Sequence, residues 1–175
     1  MGITDRQVTV TMKGHPVELL GQERHTGDAA PNFRAVDAGF QPVELAQLGQ
    51  RPVLISAVPS LDTGLCALQT KRFNSEIASF EGDFAALTIS MDLPFAQKRF
   101  CEAEGIDRIQ VVSDHVWREF GNGYGILIKD MGLLARSVFV IGKDGQIRYK
   151  QTVPEVTDHP DYEAALAALR EAVQA

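Results

Sequence analysis

From residue 51 onward, apolar runs of strand length alternate with stretches of helical spacing, an order that few folds accept. The runs occupy residues 53–58, 84–90, 109–113 and 137–141, and helical patterns at 65–80, 94–104 and 115–120 lie between them. A strand that is apolar at consecutive positions needs cover on both faces, and intervening helices provide it. The order predicts an α/β protein whose central sheet is mainly parallel and flanked by helices. Lys143-Asp144-Gly145, set between Val138-Phe139-Val140-Ile141 and Ile147-Arg148-Tyr149-Lys150, signals a tight turn, so the sheet is predicted to be mixed. After a proline-containing turn at 158–161, Tyr162, Leu166 and Leu169 recur at helical spacing and predict a closing helix.

Residues 8–12 and 17–20 alternate about Lys13-Gly14-His15-Pro16, which predicts an N-terminal hairpin extension within residues 1–21. A polar connector with Gly27, Asp28 and Pro31 follows, and Phe33-Arg34-Ala35-Val36-Asp37 reads as a short strand. The sequence has no linker-like run, repeat or low-complexity tract, and 175 residues suffice for one self-supporting core, so a single domain over residues 1–175 is expected. No apolar run approaches the roughly 18 residues a membrane helix needs. A formal charge of −6 disfavours binding to nucleic acid or to anionic membranes. The first residues lack the basic-then-apolar build of a secretory signal, so the expected location is the cytoplasm.

Chemistry concentrates just behind the first apolar run, in Pro59-Ser60-Leu61-Asp62-Thr63-Gly64-Leu65-Cys66. The helical pattern that follows places Cys66 in a first turn, where unpaired N–H groups and the helix dipole favour an anion such as a thiolate. A free cysteine is otherwise a small buried hydrophobe. Asp62 or Thr63 is suited to cap the helix, and the Thr63 hydroxyl is equally suited to face the sulfur. Pro59 ends the strand and can wall the pocket. Pro94 starts the next helical pattern and Gly105 stops it, so Cys101 falls in its last turn. Bridging Cys66 and Cys101, 35 positions apart, is expected to need local opening of one or both helices.

Other groups carry less. His15, His25, His115 and His159 show no ligand spacing, and with two distant cysteines they make no zinc motif. The absence of Cys-x-x-Cys disfavours a disulfide reductase. Gly121-Asn122-Gly123-Tyr124-Gly125 lacks phosphate-loop spacing and reads as a flexible turn. Trp117 reads as packing, and Glu102 with Glu104 as a solvated helix end.

Pro59, Thr63 and Cys66 match the peroxiredoxin signature of a proline, three residues, threonine or serine, two residues and the peroxidatic cysteine. The full string from Pro59 to Cys66 resembles that of the bacterial thiol peroxidases, an atypical two-cysteine class. Asp92-Leu93-Pro94-Phe95-Ala96-Gln97, Arg99-Phe100-Cys101, Ala103-Glu104-Gly105 and Asp161-Tyr162-Glu163-Ala164-Ala165-Leu166 extend the resemblance almost to the end of the chain. The resemblance implies a thioredoxin-like fold and a peroxidase that reduces hydrogen peroxide and, by preference, alkyl hydroperoxides. It implies that Cys66 is peroxidatic, that Cys101 resolves it within the same chain, and that Arg136 is the active-site arginine. It also implies thioredoxin as reductant and a homodimer, with sulfur chemistry that needs no cofactor. Phe95 and Leu61 are candidates to line an apolar substrate pocket. The alternative is a redox-sensing interaction protein that uses the same disulfide as a switch without turnover, and a third reading is a thioredoxin-like module whose cysteines are structural.

Overall fold

The computed structural model describes residues 9–175. Strands β1 (Val10–Met12) and β2 (His15–Val17) pair antiparallel about Lys13-Gly14. Both turn residues have positive φ, 50° and 80°, which matches the strand twist of a two-residue hairpin and makes the turn shorter than the sequence suggests. Strand β3 (Leu19–Leu20), expected to continue the hairpin, departs from it and joins a separate three-stranded sheet with β9 (Leu127–Ile128) and β10 (Leu133–Leu134). The start of the expected hairpin at Val8 lies outside the described residues.

The central sheet begins with β4 (Arg34–Val36) and β5 (Pro42–Glu44), a short edge hairpin followed by a 3-10 turn at Leu45–Leu48. Sequence reading finds β4 and misses β5, because three residues carry no clear alternation and a proline argues against any but an edge strand. The core of the sheet is β6 (Val53–Ala57), β7 (Ala85–Ser90) and β8 (Gln110–Ser113), all parallel. Helix α1 (Gly64–Ile77) connects the first pair and α2 (Pro94–Glu104) the second. Strand β11 (Ser137–Ile141) lies antiparallel to β6, and β12 (Ile147–Thr152) lies antiparallel to β11, completing the order β12-β11-β6-β7-β8-β4-β5. The sheet is mixed, as the Lys143-Asp144-Gly145 turn predicts.

Alternation along each strand separates the core into two layers. On β11, Val138 and Val140 join Leu54, Phe73, Leu166 and Leu169 beneath α1 and α4 (Tyr162–Gln174). Phe139 and Ile141 face the other way, into a cluster with Ile55, Phe33, Phe120 and Tyr124. The rings of Phe120 and Phe139 meet edge-on at 6.1 Å, and those of Tyr124 and Phe139 at 5.1 Å. Full burial of such side chains stabilises the fold by about 1.5–3 kcal/mol each. Among the described residues no helix is long and apolar enough to cross a membrane.

The third helical segment differs from expectation. Residues 115–117 form a turn, Arg118 sits in the left-handed region at φ 56°, and α3 spans Glu119–Gly123. Asp114 explains the shift: its carbonyl accepts the Arg118 N–H at 2.9 Å, and its carboxylate accepts the N–H groups of Phe120 at 3.1 Å and Gly121 at 2.8 Å. The glycines that read as a flexible turn are therefore packed. A Cβ on Gly121 would lie 2.8 Å from Leu134 Cδ2 and 3.2 Å from Asp114 Oδ2 and Leu127 Cβ, so a larger residue there would have to displace its neighbours.

Burial pushes the Asp114 carboxyl up to about 6, against the two N–H bonds that favour its anion. A carboxyl raised on folding takes up a proton in the folded state before the unfolded one. Its stabilising effect is fully present below about 4 and is lost as pH rises through about 6. Lowering the pH from about 7 to about 4 is expected to raise the melting temperature of the wild type relative to Asp114→Asn, and a constant difference across that range contradicts the assignment.

Candidate functional site

Strand β6 is followed by the buried Val58 and Pro59, and the chain turns through residues 60–63 before α1 begins. The Ser60 carbonyl closes this turn by accepting the Thr63 N–H at 3.1 Å and the Thr63 hydroxyl at 2.8 Å. Thr63 is the N-cap by backbone geometry, but its side chain makes no capping bond and donates to Ser60 rather than to sulfur. Both side-chain roles expected of Thr63 thus give way to bracing the turn. Asp62, the other cap candidate, makes no capping bond either. Cys66 is the third residue of α1, in the turn whose N–H groups no side chain caps.

Cys66 has 0% exposure and packs with Val58, Leu61 and Val111, next to the partly buried Phe100, Cys101 and Ile106. Arg136, between β10 and β11, is only 3% exposed. Its Nε donates to the Val156 carbonyl at 2.8 Å, its Nη1 to Gln69 Oε1 at 2.9 Å, and its Nη2 to Cys66 Sγ at 3.5 Å. Gln69 is held in turn by donating from Nε2 to Ser56 Oγ at 2.8 Å. Among the described residues, Arg136 forms no ion pair with a carboxylate. A guanidinium stays charged at all accessible pH, and an uncompensated buried charge is costly. Of these three acceptors, the Cys66 sulfur is the one that can become an anion.

Cys66 and Cys101 are both free thiols. Cys101 lies in the last full turn of α2, where its carbonyl accepts the Ile106 N–H at 3.0 Å. Burial pushes its thiol up, and the neighbouring Glu102 charge adds to the effect, which disfavours the Cys101 thiolate. Leu61 packs in the Cys66 cluster, whereas Phe95 is 71% exposed and leans on the ring of Phe40 at 5.3 Å, so the structure does not bring those two together. Glu104 pairs with Lys71 at 2.9 Å on the surface, in keeping with a solvated helix end. Trp117 lies under the Arg34 guanidinium at 4.4 Å. Among the described residues no group of three or more potential ligands could hold a metal ion.

Sequence reasoning missed Gln69, Ser56, the Val156 carbonyl and the carboxylate of Asp92. Gln69 left a trace, being a polar residue on the α1 face that carries Cys66, Phe73 and Ile77. Asp92 accepts the Ser60 hydroxyl at 2.7 Å and the Leu61 N–H at 2.8 Å, which fixes the turn leading to Cys66 from the far end of β7.

A family model described as Redoxin matches residues 25–166. The chain is 48% identical over 163 residues to the thiol peroxidase of Listeria innocua, covering 93% of this chain and 98% of that protein. It is also 48% identical over 161 residues to the thiol peroxidase of Staphylococcus aureus strain MRSA252, covering 92% and 97%. Among solved structures, a peroxiredoxin-like protein from Aquifex aeolicus superposes with a TM-score of 0.88 at 42% identity, covering 94% of this chain and 97% of that one. Thiol peroxidase from Chromobacterium violaceum shares the fold with a TM-score of 0.81 at 22% identity, covering 97% and 99%.

Proposed function

The chain belongs to the redoxin family and, within it, to the thiol peroxidases, and from that premise we propose that Cys66 is the atom donor's target: its thiolate attacks the outer oxygen of a hydroperoxide. The S–O bond forms as the O–O bond breaks, sulfur is oxidised to sulfenic acid, and the peroxide leaves as water or alcohol after taking a proton. The Cys101 thiol then attacks the sulfenic sulfur, an S–S bond forms within the chain, and water departs. An external dithiol accepts the oxidation and returns both thiols.

One observation carries this reading: the buried Arg136, without a carboxylate partner among the described residues, donates to Cys66 Sγ. The guanidinium favours the sulfur anion before reaction and is placed to stabilise the oxyanion that leaves. The apolar neighbours Val58, Leu61 and Val111 support a preference for alkyl hydroperoxides. Thioredoxin as reductant and a homodimeric assembly rest on the family resemblance and belong to the same proposal, as does the cytoplasmic location expected from the sequence.

Peroxide-dependent NADPH oxidation, coupled through thioredoxin and its reductase, tests the reading. Sustained flux is expected for the wild type, and Arg136→Met is expected to lower kcat/KM by about 10²-fold or more. Oxidation of the wild type without flux would instead identify a redox sensor.

A further inference from the structure

We propose that Asp92 is a positioning residue that latches the Cys66 turn and the Cys101 helix together in the arrangement that reacts with peroxide, and that its release favours disulfide formation. This rests on the reading that both cysteines take part in the cycle. The Asp92 carboxylate lies at the C-terminal end of β7 and accepts from three donors. Ser60 Oγ reaches Oδ1 at 2.7 Å, while the Leu61 N–H at 2.8 Å and Ser90 Oγ at 2.6 Å reach Oδ2. Ser60 and Leu61 belong to the turn that sets the first residues of α1, and Leu61 packs against Cys66.

The third donor leads to the other cysteine. Ser90 Oγ, whose hydrogen goes to Asp92, accepts from Gln97 Nε2 at 3.0 Å, and Gln97 Nε2 also donates to the Val112 carbonyl at 2.8 Å. Gln97 is 1% exposed and precedes Cys101 by one turn on α2, so the two share a helix face. Ser113 Oγ donates to the Asp92 carbonyl at 2.6 Å and anchors the residue itself to β8. Asp92 thus joins the Cys66 turn to the end of β7 through its carboxylate, to β8 through its carbonyl, and to α2 by way of Ser90.

Chemistry gives the joint a purpose. While latched, Cys66 Sγ is buried against Arg136 and both thiols are free. To form the disulfide, the sulfur must leave the guanidinium for a bond of about 2.0 Å to Cys101. A contact that orders the first state and is absent from the second therefore speeds one step and slows the other. Gln97 Oε1 shows where the latch is weakest: it is buried and meets no donor among the described residues, a loss that movement of α2 into water would relieve.

Rapid-quench mass spectrometry on Asp92→Ala, Asp92→Asn and Ser60→Ala separates the two steps. Asp92→Ala is expected to slow Cys66 sulfenic acid formation by about tenfold and to accelerate disulfide closure severalfold, with less over-oxidation under excess peroxide. Asp92→Asn, which keeps an acceptor for the Leu61 N–H, and Ser60→Ala, which removes one bond from the same carboxylate, should move both rates in the same directions by less. Ser60→Ala carries the test if Asp92→Ala does not fold. Variants that slow both steps together, or change neither, in a background where the wild type is active would overturn the latch alone. A wild type that forms no sulfenic acid at Cys66 would overturn the underlying reading instead.

Discussion

Cys66→Ser is expected to lose peroxide reduction by roughly 10⁴-fold or more while remaining folded. The hydroxyl occupies nearly the volume of the thiol, so the cluster of Val58, Leu61 and Val111 stays packed. A serine oxygen does not ionise in this range and cannot be oxidised by a peroxide, so the attacking atom is gone while the site around it stays. Arg136 is then buried with neutral acceptors alone, those of Gln69, Val156 and the serine hydroxyl, which should cost stability as well. Residual peroxide, followed over time against the wild type at equal protein concentration, reads the effect. Normal consumption by the serine variant would remove Cys66 from the chemistry.

Cys101→Ser is expected to separate the first turnover from all later ones. The variant keeps Arg136, Gln69 and the α1 N-terminus, so the reaction of Cys66 with the first equivalent of peroxide should proceed at close to the wild-type rate. Without the second thiol the sulfenic acid has no internal partner, and thioredoxin-coupled flux should fall by more than about 10²-fold. Excess peroxide then drives Cys66 to sulfinic and sulfonic acids, which the mass of its peptide reports as added oxygens. Sustained coupled flux in this variant would mean that the resolving thiol lies elsewhere.

What the sequence makes legible is what local pattern controls. Consecutive apolar residues identify β6, β7, β8 and β11, Pro94 and Gly105 bound α2 at its observed limits, and Lys143-Asp144-Gly145 turns β11 into β12. Cys66 is legible for the same reason, since its place at the start of α1 follows from the turn before it. The partners of Cys66 are not local. Arg136 and Gln69 meet across 67 positions, and only the antiparallel seating of β11 beside β6 brings them together. Asp92 acts across 31 positions on Leu61, through a parallel pairing that no turn signal marks. Asp114 displaced α3 because a carboxylate can take over the first N–H groups of a helix, a choice that hydrophobic periodicity cannot register. The resemblance to the thiol peroxidases pointed to Arg136 where periodicity alone would have left a charged residue near a strand.

The packing sets a tension that the chemistry must resolve. Burial strengthens the interaction between Arg136 and the sulfur, because buried groups are screened less than exposed ones. The same burial holds Cys66 against Arg136 and out of reach of an external reductant. In the proposed cycle the site is closed for the first step and loosened for the second, which makes the stability of the Cys66 turn and of α2 part of the proposed rate.

The most direct measurement is a peptide map of the fully reduced wild type after one equivalent of peroxide, under anaerobic and non-reducing conditions. The account predicts that the Cys66 and Cys101 peptides become joined within a single chain and that no free thiol remains. Two unmodified thiols, oxygen carried on Cys101 with Cys66 still reduced, or a linkage between separate chains would contradict it.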